Sequence, residues 1–184
     1  MTFALIHRRF AGAASGLIAA ALLLFPSSVF QRSLWAQEKG ILDSLFKPGS
    51  KDVAAIDFEL QDLNGNDVRL SKFRGESHVL LYFWATWCPY CLAVKPELKK
   101  IRERIASKDL EILAINVGGG DSLERLKKYQ EGHPVPWSVL YDGNGGVTRA
   151  YQVQGIPLFI LVDKEGKITF RDNMLPSDIT KYMK

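Results

Sequence analysis

Two cysteines, three histidines and three methionines are all that the 184-residue chain offers to thiol or soft-metal chemistry. A zinc site takes four ligands, and a single Cys-x-x-Cys with His78 and His133 standing apart supplies no second pair at ligand spacing,. A copper carrier would want a wider cysteine spacing and a matching histidine or methionine. A purely structural disulfide is disfavoured as well, because so short a loop restrains little chain entropy. Internal repeats, low-complexity tracts and a strong charge of one sign are also lacking. The precursor has 24 basic and 20 acidic residues, but removing residues 1–36 takes away Arg8, Arg9 and Arg32 and no acid, which leaves 21 against 20. Nothing in that balance argues for nucleic acid or an anionic membrane surface as a partner.

The N-terminus sets the compartment. His7, Arg8 and Arg9 precede an apolar stretch from Phe10 to Phe25, and Leu34-Trp35-Ala36 offers a cleavage site before Gln37. This reads as a secretory signal, shorter than the roughly 20 residues a spanning helix prefers, although extension through Phe30 also allows an uncleaved N-terminal membrane anchor. No cysteine lies near the junction to carry a lipid. Residues 37–52 read as a short helix around Ile41, Leu42, Leu45 and Phe46 followed by a Lys47-Pro48-Gly49-Ser50 linker. Residues 53–184 then form one domain, long enough for a hydrophobic core.

Within that domain, AIDFEL, the turn DLNGND and VRL give a hairpin signal centred on Asn64-Gly65,. The apolar run VLLYFW, from Val79 to Trp84, is expected to be a central strand buried on both faces. Leu98, Ile101 and Ile105 follow at helical spacing, with Lys95, Lys99, Lys100, Arg102 and Arg104 assigned to a solvated face and Pro96 expected to kink the helix,. LEILAINV completes a parallel βαβ unit. Gly118-Gly119-Gly120 fails the nucleotide-loop pattern because Leu123 stands where the last glycine is needed. It reads instead as a flexible turn, with Asp121 capping the next helix and Glu124 completing a capping box. SVLYD, a short helix near Val147 to Tyr151, PLFILVD, the turn KEGK and ITFRD complete an α/β sheet.

The stretch WATWCPYC joins the central strand to the first helix. Pro89 suits the first helical turn, so Cys88 faces unpaired backbone N–H groups and the positive end of the helix dipole, which favours its thiolate. Cys91 lies one turn further on, within reach of Cys88 and shielded by the helix body. The outer sulfur is expected to attack and the inner one to resolve.

FWATWCPYC, preceded by DLNGNDVRLSKFRG and followed by YQVQGIP and LVDKEGKI, resembles the TlpA-like thioredoxin-fold proteins of bacterial envelopes, a group that includes the cytochrome-maturation thiol reductases. The resemblance spans residues 52–172. It implies a thioredoxin fold, with a central mixed β-sheet flanked by helices and an N-terminal β-hairpin extension. It implies an exported thiol–disulfide oxidoreductase with Cys88 as nucleophile and Cys91 as resolving cysteine, and with Trp87, Pro89, Tyr90, Ile156 and Pro157 shaping the site. Pro157 matches the family's cis-proline, beside which the backbone of Ile156 would pair with a substrate strand. No organic cofactor or metal is implied. The expected partners are protein disulfides and dithiols and a membrane electron carrier, in the periplasm or on the outer face of the cytoplasmic membrane.

The departures are Val94, where many relatives carry an acid, Tyr82, where thioredoxins carry a buried aspartate, and Leu158 after the cis-proline. Glu97 falls at a different angle on the helix and is not promoted to the acid's role. Pro89-Tyr90 is the dipeptide of glutaredoxins, but Gly145-Gly146 precedes Pro157 instead of following it, which argues against a glutathione site. Competing readings are a metal-binding chaperone, a non-catalytic thioredoxin-like binding module and a peroxiredoxin-type peroxidase. The last is disfavoured because Ala85 stands where a threonine is expected.

Overall fold

The computed structural model describes residues 53–183, so the expected signal or anchor at 1–36 and the linker helix at 37–52 lie outside the described residues. The described residues run through seven strands and three α-helices: β1 (Glu59–Gln61), β2 (Asp67–Arg69), β3 (His78–Trp84), α1 (Pro89–Arg104), β4 (Leu110–Asn116), α2 (Leu123–Gly132), β5 (Ser138–Tyr141), α3 (Gly146–Ala150), β6 (Leu158–Val162) and β7 (Ile168–Asp172). Short 3-10 turns stand at Leu70–Phe73 and Ile179–Tyr182.

The β1–β2 hairpin forms as expected, with Leu60 opposite Val68. Its turn is held from inside by Asp62, whose carboxylate accepts from the backbone of Asn64 and Asn66 and from the Asn66 side chain. The other five strands lie in the order β5-β4-β3-β6-β7. β3, β4 and β5 are parallel, whereas β6 and β7 run antiparallel. This is the mixed sheet of a thioredoxin fold.

β3 is the middle strand and every one of its residues is buried. A strand covered on both faces must be apolar on both, which is why VLLYFW shows no alternation. Leu80, Tyr82 and Trp84 point to the layer that holds α1 and α2, while Val79, Leu81 and Phe83 pack in the layer with α3 and the hairpin. The strand therefore delivers residue 85 onward to the edge of a rigid sheet, and α1 starts four residues later. Helix α1 continues through Pro96, which sits inside it.

Two sequence expectations fail here. Lys95 does not belong to the solvated face: only 9% of it is exposed. Arg102 is likewise drawn in, with 8% of its side chain exposed, and donates to the carbonyls of Ile105 and Leu110. Asp121 is not the cap of α2 either. Ser122 takes that place, its side chain accepting from Arg125 N, so Glu124 falls one position short of a capping box.

The triple glycine is shaped by its neighbours and is more than a loose turn. Gly118 has φ +73°, and a Cβ there would stand 2.5 Å from the carbonyl oxygen of Asp142. Gly118→Ala is expected to lower stability by roughly 1–3 kcal/mol, since the left-handed backbone and a clash with main chain both resist the methyl. Urea unfolding checks this, and an unchanged midpoint would refute it.

Candidate active site

Cys88 is the N-cap of α1, in extended conformation, and Pro89 occupies the first helical position. The backbone N–H of Cys91 donates to Cys88 Sγ at 3.2 Å. A sulfur thus occupies the position where a serine or aspartate oxygen would normally accept an orphan N–H. The two cysteines are joined as a disulfide, with Cα atoms 5.2 Å apart. Both cysteines are covered: Cys88 keeps 4% exposure and Cys91 none. The cover comes from the loop before β6, where Ile156 O lies 3.8 Å from Cys88 Sγ.

That loop is where the sequence puts the cis-proline, and the Ile156–Pro157 bond is cis. Asn173, just beyond β7, donates to Pro157 O at 2.7 Å and Gly155 O at 3.3 Å and so braces the loop from behind. Sequence reasoning missed Asn173, since nothing near it in the chain marks the contact.

The residues flanking Cys88 are exposed. Trp87 is 54% exposed and Tyr90 79%. The Trp87 indole is anchored by Nε1 donating to Gly119 O at 2.7 Å, and its ring closes over Gly120, where a Cβ would come within 2.9 Å of Nε1. Asp121 holds the same loop from below. Its carboxylate accepts from Thr86 N at 2.9 Å, from Thr86 Oγ1 and from Asn116 Nδ2 at 2.7 Å. The residue expected to cap a helix therefore clamps the cysteine loop instead.

Beneath the inner cysteine the departures from the family pattern resolve into a distinct arrangement. Tyr82 is fully buried and its hydroxyl donates to Cys91 O at 2.6 Å. Burial pushes this phenol well above its ordinary range, with Tyr129 a second cause, so it stays a neutral donor,. Val94 packs against the core, and Glu97 is exposed and pairs with Lys100 at 3.3 Å. Lys95 Nζ sits 4.0 Å from the Trp84 ring centroid and 4.6 Å from that of Tyr129, and 3.4 Å from the Tyr129 hydroxyl. The two histidines of the described residues are elsewhere: His78 begins β3, at its far end from the cysteines, and His133 stacks on Tyr129.

Burial pushes Lys95 down to about 8, with the like charge of Lys99 the second cause. Below that pH the folded and unfolded chains both hold the proton and the cost of burying the charge is fully present. Between about 8 and the ordinary value of 10.5 the folded chain gives up its proton first, so stability gains with pH. The stability of the wild type relative to Lys95→Met is therefore expected to rise from pH 8 to pH 10.5. Denaturant unfolding of the oxidised proteins checks this, and a flat difference would refute it.

The AhpC/TSA family matches residues 52–171. The thiol-disulfide oxidoreductase ResA of Geobacillus kaustophilus is 33% identical over 131 residues, 70% of this chain and 74% of the relative. The exposed lipoprotein thioredoxin Etrx1 of Streptococcus pneumoniae superposes with a TM-score of 0.59 at 32% identity, covering 66% of this chain and 92% of that one. A Chlorobium tepidum structure described as a thiol:disulfide interchange protein DsbE gives a TM-score of 0.62 at 29% identity, over 70% and 89% of the two chains. With its Cys-x-x-Cys at a helix start and relatives of this kind, the chain belongs to the AhpC/TSA family and is a thiol–disulfide oxidoreductase on a thioredoxin fold.

Proposed function

We propose that the protein is an exported reductant of protein disulfides, with Cys88 as the attacking sulfur and Cys91 as the resolving one. The observation that carries this is the Cys91 N–H aimed at Cys88 Sγ at the start of α1. In the reduced protein the same donor and helix dipole favour a Cys88 thiolate over a Cys91 one. The Cys88 thiolate attacks a substrate disulfide, forming a mixed disulfide and releasing one substrate thiolate. Cys91, deprotonated, then attacks Cys88 Sγ; the mixed disulfide breaks, the Cys88–Cys91 bond forms and the second substrate sulfur leaves. Two electrons pass to the substrate.

Around this pair, Trp87 and Tyr90 flank the approach, Pro89 starts the helix, and Ile156 and Pro157 form the opposing wall where an extended substrate strand would lie. Export rests on the basic and apolar N-terminal segment, cleaved as a signal or kept as an anchor, with residues 37–52 as linker and 53–184 as the working domain. A dithiol in an oxidising envelope needs a reductant, so a membrane electron carrier would supply the electrons. The family resemblance favours cytochrome c maturation or a similar envelope task.

Cys91→Ser is expected to accumulate mixed disulfides with envelope proteins and Cys88→Ser to form none, read on non-reducing gels. Equal trapping by both variants would reverse or void the assignment of roles.

The direction of flow has its own test. Pro89-Tyr90 argues for a potential on the order of −200 to −230 mV, near the glutaredoxin range and below strong envelope oxidants. Alkylation trapping in intact cells is expected to find the pair at least partly as thiols. A fully oxidised pair with a potential above about −150 mV would make the protein an oxidant.

A further inference from the structure

The buried residues of α1 are Cys91, Lys95, Leu98 and Ile101. Their spacings of four, three and three residues trace one stripe of the helix. Three of the four are apolar or weakly polar, and the second is a lysine. It follows Cys91 by one turn, on the same core-facing side. Its ammonium is held by Trp84 of β3 and by Tyr129 of α2. Trp84 in turn stacks beside Tyr82, the residue whose hydroxyl reaches Cys91 O. No carboxylate among the described residues pairs with Lys95.

A charge buried without a counter-ion is costly, and a methionine or leucine would fill this position without that cost. When the reduced protein turns over, however, one negative charge must appear in the same layer. Cys91 has no exposure, and burial alone raises a thiol,. The inner sulfur must nevertheless become a thiolate before it can attack Cys88 Sγ. Tyr82 cannot help as a base, being a neutral donor already committed to Cys91 O, and Glu97 lies outside on the exposed face.

We propose that Lys95 is the positioning cation of the inner cysteine: held against Trp84 and Tyr129 one turn beyond Cys91, it stabilises the Cys91 thiolate and so speeds resolution of the mixed disulfide. This rests on the reading of Cys91 as the resolving sulfur. The step balances without a further reactant. Cys91 loses its proton to water, its sulfur displaces the substrate sulfur from Cys88, and the departing thiolate takes a proton from solvent. Of the titratable and charged groups around Lys95, Lys99 acts on it from its own helix, Cys91 stands one turn before it on the same buried stripe, Tyr82 lies behind Trp84 on β3, and Tyr129 touches it from α2 with His133 stacked behind.

The test uses the full chain with Cys88→Ser, so that Cys91 titrates alone, and follows its Cβ by carbon-13 NMR of labelled cysteine. Adding Lys95→Met is expected to raise the Cys91 value by about one unit, which is about tenfold less thiolate at pH 7, and Lys95→Arg to restore it. In the protein with both cysteines, Lys95→Met is expected to slow resolution of a preformed mixed disulfide by a similar factor. That gap closes as pH rises through the titration of Lys95 itself, whereas a lysine of purely structural use would leave the gap flat. Should Lys95→Met fail to fold, the reciprocal measurement stands: by linkage, removing Cys91 must move the titration of the Lys95 ε-carbon by the same amount. An unmoved Cys91 value in a folded Lys95→Met protein, or an unmoved Lys95 value on loss of Cys91, overturns the proposal. A coupled pair combined with equal trapping by both single-cysteine variants would leave the electrostatics standing and overturn the assignment of roles.

Discussion

A helix begins with N–H groups that no residue of the helix can satisfy, and this protein spends that deficit on a sulfur. The Cys88 side chain takes the capping bond from Cys91 N, so the contact that caps α1 is also the one that, on the proposed reading, would favour a Cys88 thiolate,. Most of the fold exists to hold it. β3 must be central and rigid for the chain to leave it at a fixed point, and Pro89 must follow at once for the helix to start there. The Thr86 backbone between them is tied to Asp121 from a different βα connection.

That same junction divides the two cysteines electrostatically. Cys88 faces the positive end of the helix and a carbonyl of the opposing loop; Cys91 is buried, its backbone carbonyl accepts from the Tyr82 phenol, and Lys95 lies one turn further along the same buried stripe, over Trp84. This chain has Val94 where many relatives carry an acid and Tyr82 where thioredoxins carry a buried aspartate, and the layer holds the Lys95 ammonium. An acid there could carry a proton to and from the inner sulfur. A cation can favour the thiolate without carrying its proton, which leaves the proton to solvent and makes the pH dependence of resolution follow the cation's own titration.

How much of this was legible in the sequence follows from the range of the interactions. Strand runs, the hairpin turn, the cysteine spacing and the proline of the opposing loop are local patterns, and each stands where reading placed it. Asp121 failed because two capping residues stand side by side, and the contact that decides between them reaches 35 residues back to Thr86. Lys95 failed for a different reason. Its spacing of four from Cys91 and three from Leu98 already put it on the buried stripe, but charge was allowed to outweigh period. Only the Trp84 and Tyr129 rings, from two other elements, show why an ammonium can stay there,.

Burial of both sulfurs also limits what can reach them. In the proposed reaction a partner would bring its disulfide between the start of α1 and the Ile156–Pro157 loop, past the large exposed rings of Trp87 and Tyr90. Those rings are fixed to different degrees. Trp87 is pinned by its indole N–H to Gly119 and seated on Gly120, where any side chain would displace it. Tyr90, with most of its surface in water, projects from the first turn of α1. The rigid wall therefore lies on the glycine-loop side and the adjustable one on the helix. In the proposed reaction an extended segment would lie along the proline loop and place one sulfur within reach of Cys88.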